Sequence, residues 1–177
     1  FQNVFAADFV GAFTPAKAAA EALAPLLLLA GPAIGGELVG PGSDYLGDCY
    51  RAGLKDAVHV LDRHPYPKVS TPTPPGGPVG CPETLLESLA ECRGVMARYG
   101  DEERPLIVSE TGHPTHEGFW WMPPSSYPQQ ARYVVRNHLI LAALGIRRVF
   151  WYAFQDEGTD PRNPEHNFGI VDWYGNP

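Results

Sequence analysis

Four short apolar runs, at residues 26–30, 57–61, 106–109 and 148–153, alternate with segments of helical character, and few architectures accommodate that order. A short run that is apolar at successive positions suits a strand buried on both faces, as in a parallel sheet whose crossover helices cover it. The segments between the runs supply those crossovers. A first helix is predicted over 14–24, where Thr14-Pro15 offers a capping hydroxyl followed by proline, alanines follow, and Pro25 ends it. Asp44 is placed to cap a second helix that stops at Gly53. Residues 82–99 carry Leu85, Leu86, Leu89, Val95 and Met96 at helical spacing before Gly100, and a further helix is predicted over 128–144 before Gly145. The predicted fold class is α/β, with about four parallel strands alternating with helices in one continuous domain over residues 1–177.

Composition narrows the partners. With 19 glycines and 19 prolines in 177 residues, the segments 31–43, 62–81 and 111–126 read as long structured loops. Acidic residues number 20 against 13 basic ones, and the basic residues form no stripe, so nucleic acid is not an expected partner. The longest aliphatic run, 26–29, falls far short of the roughly 18 residues a membrane span requires, and no membrane partner is expected. Cys49, Cys81 and Cys92 are odd in number and lack the close pairs of a zinc site, so neither a disulfide framework nor a zinc ribbon follows. No charged-then-apolar leader opens the chain at Phe1, and localisation cannot be read from it.

Ligands of parallel sheets bind where strands end and loops begin, which directs attention to three strand ends. The second run closes on Asp62-Arg63-His64-Pro65-Tyr66-Pro67, the third on Ser109-Glu110-Thr111-Gly112-His113, and the fourth on Phe150-Trp151-Tyr152-Ala153-Phe154-Gln155-Asp156. His113-Pro114-Thr115-His116-Glu117 holds ligand types that zinc accepts. Its i, i+3 histidines and its proline suit a loop rather than a helical zinc motif, so substrate contact by His113 is expected and no metal is. Trp120 and Trp121 lie in the same loop, as a sugar platform or a hydrophobic lid.

These segments resemble a known group. His64-Pro65-Tyr66, then Ile107-Val108-Ser109-Glu110-Thr111-Gly112, then Val149-Phe150-Trp151-Tyr152, with residues 165–171 following, resemble the last three strands of clan A glycoside hydrolases. The nearest likeness is to bacterial members of families 5 and 39. The resemblance implies the carboxyl half of a (β/α)8 TIM barrel, from about the fourth helix through the eighth strand, acting as a retaining hydrolase on a β-linked sugar. On this likeness Glu110 matches the nucleophile that attacks the anomeric carbon. Tyr66 matches the tyrosine whose hydroxyl donates to that carboxylate and orients it, and His64 lines the same pocket. Trp151 matches the aromatic floor on which a pyranose stacks, with His113 and Trp120 as further substrate contacts. No cofactor is implied.

The family's acid/base glutamate comes in an Asn-Glu pair on the fourth strand, and no such pair occurs in these residues. The resemblance therefore places the acid/base upstream of Phe1 and makes the 177 residues alone inactive, with open sheet edges that favour self-association. A half-barrel that binds carbohydrate without catalysis, or serves only structurally, is the alternative. A metal-dependent hydrolase built on His113, His116 and Glu117 is a weaker one.

Overall fold

The computed structural model describes residues 5–35, 44–67, 80–118 and 122–177. Its elements run α1 (Ala6–Leu23), β1 (Ala30–Ile34), α2 (Tyr45–Arg51), α3 (Leu54–Ala57), β2 (Val60–Arg63), α4 (Thr84–Arg98), β3 (Leu106–Thr111), α5 (Tyr127–Ala143) and β4 (Val149–Trp151), followed by a 3-10 turn, Pro164–Asn167. The strands form one sheet in the order β1-β2-β3-β4, and every pairing is parallel. The α/β class and the strand-helix alternation are as the sequence predicts. No helix among the described residues is long and apolar enough to cross a membrane.

The chain's contacts group into two compact units, Phe1–His64 with Leu89–Ile107, and Pro65–Ser88 with Val108–Pro177. In the first, β1 and β2 pair, and the opening residues of β3 pair with β2 through Leu61 and Leu106. Its core gathers Leu46, Cys49, Leu54, Val58, Leu61, Leu89 and Met96, all buried. Arg104 holds the approach to β3 by donating to the carbonyls of Val58 and Lys55 while its Nε meets Asp101. Asp44 caps α2 as expected, its carboxylate accepting from Gly47 N–H at 3.3 Å, and Gly53 turns the chain at φ 106°.

Two expectations in this unit are corrected. The first helix begins at Ala6 rather than residue 14, with Pro15 in its interior. Proline there costs one internal hydrogen bond. Alanines on both sides and the burial of Val10 and Ala20 carry the helix through it. The first strand is Ala30–Ile34 rather than 26–30, and Leu26 is 96% exposed. Pro32 lies within β1, which pairs only with β2 among the described residues, and a strand with one free edge has room for a residue that cannot donate.

The second unit holds the end of β3, all of β4 and α5. Ser126 and Gln129 form a capping box that starts α5, and Gln130, Tyr133, Asn137 and Leu141 make its buried face. Val108 pairs with Val149 and Thr111 with Trp151, so β3 spends one residue more than β4 over the same stretch. That irregularity encloses Ser109 and Glu110. All three cysteines are buried free thiols.

Candidate active site

Glu110 owes its position to the irregularity in β3. Along the strand Leu106 and Val108 are buried and Ile107 and Ser109 partly exposed, so strict alternation would bury residue 110. The extra residue keeps Glu110 on the partly exposed face and returns Thr111 to the buried one, which is how a bulge re-aims a side chain. Thr111 then anchors the neighbouring segment, its Oγ1 donating to Pro65 O at 2.9 Å. Tyr66 follows, between the buried Pro65 and Pro67, and its hydroxyl donates to Glu110 Oε1. Burial, reinforced by that hydrogen bond and by nearby charge, pushes the Tyr66 phenol far above its usual range, so it stays a donor.

The aromatic neighbours differ from expectation. Phe168, 1% exposed, packs edge-on against Tyr66 at 5.8 Å and against Tyr152 at 5.1 Å between ring centres. Tyr152 N–H donates to Thr111 O at 2.9 Å, which extends the β3-β4 ladder one residue beyond Trp151. Consecutive strand residues point to opposite faces. Trp151 accordingly lies on the α5 side, its ring 6.0 Å from His113, which packs 4.6 Å from Tyr133 of α5. The ring that shares the surroundings of Glu110 is Tyr152. Its hydroxyl donates to Glu165 Oε2 at 3.4 Å, and its own proton is held firmly by burial and by the charges of Glu157, Glu165 and Glu110.

His113 is also displaced from its expected part. It is 2% exposed, with Nε2 3.4 Å from Asn137 Oδ1, and α5 covers it. An imidazole so enclosed is packed between Trp151 and Tyr133. Gln130 completes the enclosure, its Nε2 donating to His113 O at 2.9 Å and to Phe168 O at 3.4 Å. His64 belongs to the first unit, where its Nε2 lies 3.9 Å from Asp62 Oδ2. Trp120 and Trp121 lie outside the described residues. Among the described residues, His116 is buried with neither ring nitrogen hydrogen-bonded, and no group of three His, Cys, Asp or Glu side chains is arranged to hold a metal ion. Tyr152, Phe168, Gln130 and Glu165 were not singled out from the sequence. Strand alternation was the one available signal, and it says only that Tyr152 and Trp151 point to opposite faces.

Burial pushes the His113 pKa down from 6.5 to about 3, which links folding to pH. The folded pKa is depressed, so the unfolded chain binds a proton that the folded chain refuses, and stability falls as pH drops from about 6.5 towards 3. By pH 4 this group alone is expected to remove roughly 3 kcal/mol. Urea unfolding at pH 7 and pH 4 should show a smaller acid loss in His113→Gln than in wild type. Equal losses would refute the buried neutral imidazole.

No family profile and no curated protein matches the sequence. Solved structures do match in fold, and they are glycoside hydrolases of the clan A barrel type. A glucosidase from Croceicoccus marinus superposes with a TM-score of 0.71 at 16% identity, over 99% of this chain and 34% of its own. A family 17 β-1,3-glucanosyltransferase from Rhizomucor miehei gives 0.69 at 14% identity, over 99% of this chain and 56% of its own. A family 39 glycoside hydrolase from Bacteroides cellulosilyticus gives 0.53 at 26% identity, over 78% of this chain and 28% of its own. The chain thus has a glycoside-hydrolase-like fold, half of a (β/α) barrel, and spans from about a quarter to just over half of the length of these proteins.

Proposed function

We propose that this chain forms the nucleophile-bearing part of a retaining glycoside hydrolase that cleaves a β-linked sugar. The observation that carries the reading is the hydrogen bond from Tyr66 to Glu110 at the loop end of a parallel strand. A carboxylate oriented by a phenol that keeps its proton is equipped to attack an anomeric carbon, forming a glycosyl ester as the leaving-group oxygen departs. Water then cleaves the ester. A second carboxyl group about 5 to 5.5 Å from the nucleophile must give and take the proton, and we assign it to barrel strands preceding these residues. Tyr152 takes the stacking role at the cleaved sugar, and Trp151 and His113 form the layer behind it. β1 and β4 each have a single strand partner among the described residues, and in the whole barrel further strands would pair with them.

The test is covalent. Incubated with an activated 2-deoxy-2-fluoro β-glycoside, the full-length protein should gain one glycosyl mass, and peptide mass spectrometry should place it on Glu110. A label on a different carboxylate would overturn the assignment.

A further inference from the structure

Glu165 lies on the turn beyond β4, near enough to Glu110 to feel its charge. The 3-10 turn that carries it is firmly built: Pro164 opens it, Asn163 Oδ1 accepts from Glu165 N–H at 3.1 Å, and Asn167 Nδ2 donates to Asp160 O at 2.8 Å and Asn163 O at 2.7 Å. Phe168 follows at once and is wedged against both Tyr66 and Tyr152. One continuous set of contacts therefore runs from Glu110 through Tyr66, Phe168 and Tyr152 to Glu165. The Glu165 side chain is exposed, and Tyr152 occupies only one of its oxygens. Burial raises its pKa, the Tyr152 hydrogen bond lowers it, and the two charged groups that act on it, Glu110 and Glu157, are both negative and raise it further. Among the described residues no cation acts beside them.

We propose that Glu165 is a specificity-determining residue of this site, accepting a hydrogen bond from a sugar hydroxyl and turning away glycosides that bear a carboxylate. The inference rests on the reading of Glu110 as nucleophile. An ionised carboxylate only accepts hydrogen bonds, so it suits the hydroxyls of an uncharged pyranose. A uronic acid in the same place would bring a further negative charge to a group already flanked by two, with no cation among the described residues to pair with it. Repulsion of that kind discriminates between ligands of otherwise equal shape. The substrate class is therefore the neutral β-glycosides.

Two reagents of matched shape test this in the full-length protein at pH 7: 2-deoxy-2-fluoro-β-glucosyl fluoride and its glucuronyl counterpart. With either, a Glu110 oxygen bonds to the anomeric carbon as the carbon-fluorine bond breaks and fluoride leaves with the electron pair. Intact mass gives the rate, and peptide mass spectrometry gives the site. The glucosyl reagent should label wild type on the order of a hundredfold faster, and Glu165→Gln should narrow the ratio to about tenfold or less. Tyr152→Phe keeps the charge of Glu165 and should slow both reagents while preserving most of the ratio. If Glu110 is labelled and Glu165→Gln leaves the ratio unchanged, or wild type takes both reagents equally, the specificity role is wrong and the nucleophile stands. Absence of label on Glu110 with both reagents would remove the nucleophile reading and this inference with it.

Discussion

Glu110→Gln in the full-length protein is expected to lower kcat for β-glycoside hydrolysis roughly ten-thousand-fold or more, with little change in stability. The two side chains have nearly the same shape, and the amide oxygen can still accept from the Tyr66 hydroxyl. What is lost is negative charge on the attacking atom, and a neutral amide does not form the glycosyl ester. Glu110 is partly exposed, so the substitution opens no core cavity. Initial rates on aryl β-glycosides beside thermal melts check both halves of the expectation. A folded variant with near-wild-type turnover would remove Glu110 from the mechanism, and a variant that fails to fold would give it a structural role instead.

The second large effect comes from a residue with no side chain. Gly112 lies against β4 so closely that a Cβ there would sit 2.0 Å from the Tyr152 carbonyl oxygen and 3.0 Å from the Phe168 ring. The first of these is backbone, fixed by the hydrogen bond from Tyr152 N–H to Thr111 O, and cannot swing aside. Gly112→Ala must therefore push the two strand ends apart, at a cost of roughly 2–4 kcal/mol and a melting point lower by about 5–15 °C. Activity should fall further than stability, because Glu110 and Tyr152 flank the displaced contact. Gly94→Ala is the control: it lies within α4 with nothing inside 4 Å, and the exchange should be neutral or stabilising by about 0.5–1 kcal/mol. Equal melting points for the two variants would mean that the close approach at Gly112 is not real.

The strand-helix alternation and the place of Glu110 near a strand end were legible because each rests on local pattern: an apolar run that ends in a carboxylate and a glycine. The limits were equally physical. Leu26 and its aliphatic neighbours carry the signal of a buried strand, but hydrophobicity does not say which of two adjacent apolar stretches finds a partner, and pairing with Val60 begins at Ala30. Trp151 drew the platform role from the resemblance and from its place at a strand end. Choosing between it and Tyr152 required knowing which face of β4 looks towards Glu110, and that is set by an irregularity in a different strand. His113 is read as a ligand contact until α5 lays Tyr133 and Asn137 over it. Phe168 joins the site from beyond the last strand, at a sequence distance where no spacing rule reaches.

The extra residue in β3 makes the direction of Glu110 a matter of counting. Exchanging Ser109 for another small residue alters one side chain and leaves the carboxylate where it is. Deleting Ser109 alters no remaining side chain, yet with the strand in strict alternation Glu110 faces the helices and Tyr66 loses its acceptor. Substitution and deletion at one address thus differ in kind, since the first edits a contact and the second turns Glu110 away from Tyr66. The spacing between Val108 and Thr111 is as much a part of the candidate active site as the glutamate it contains.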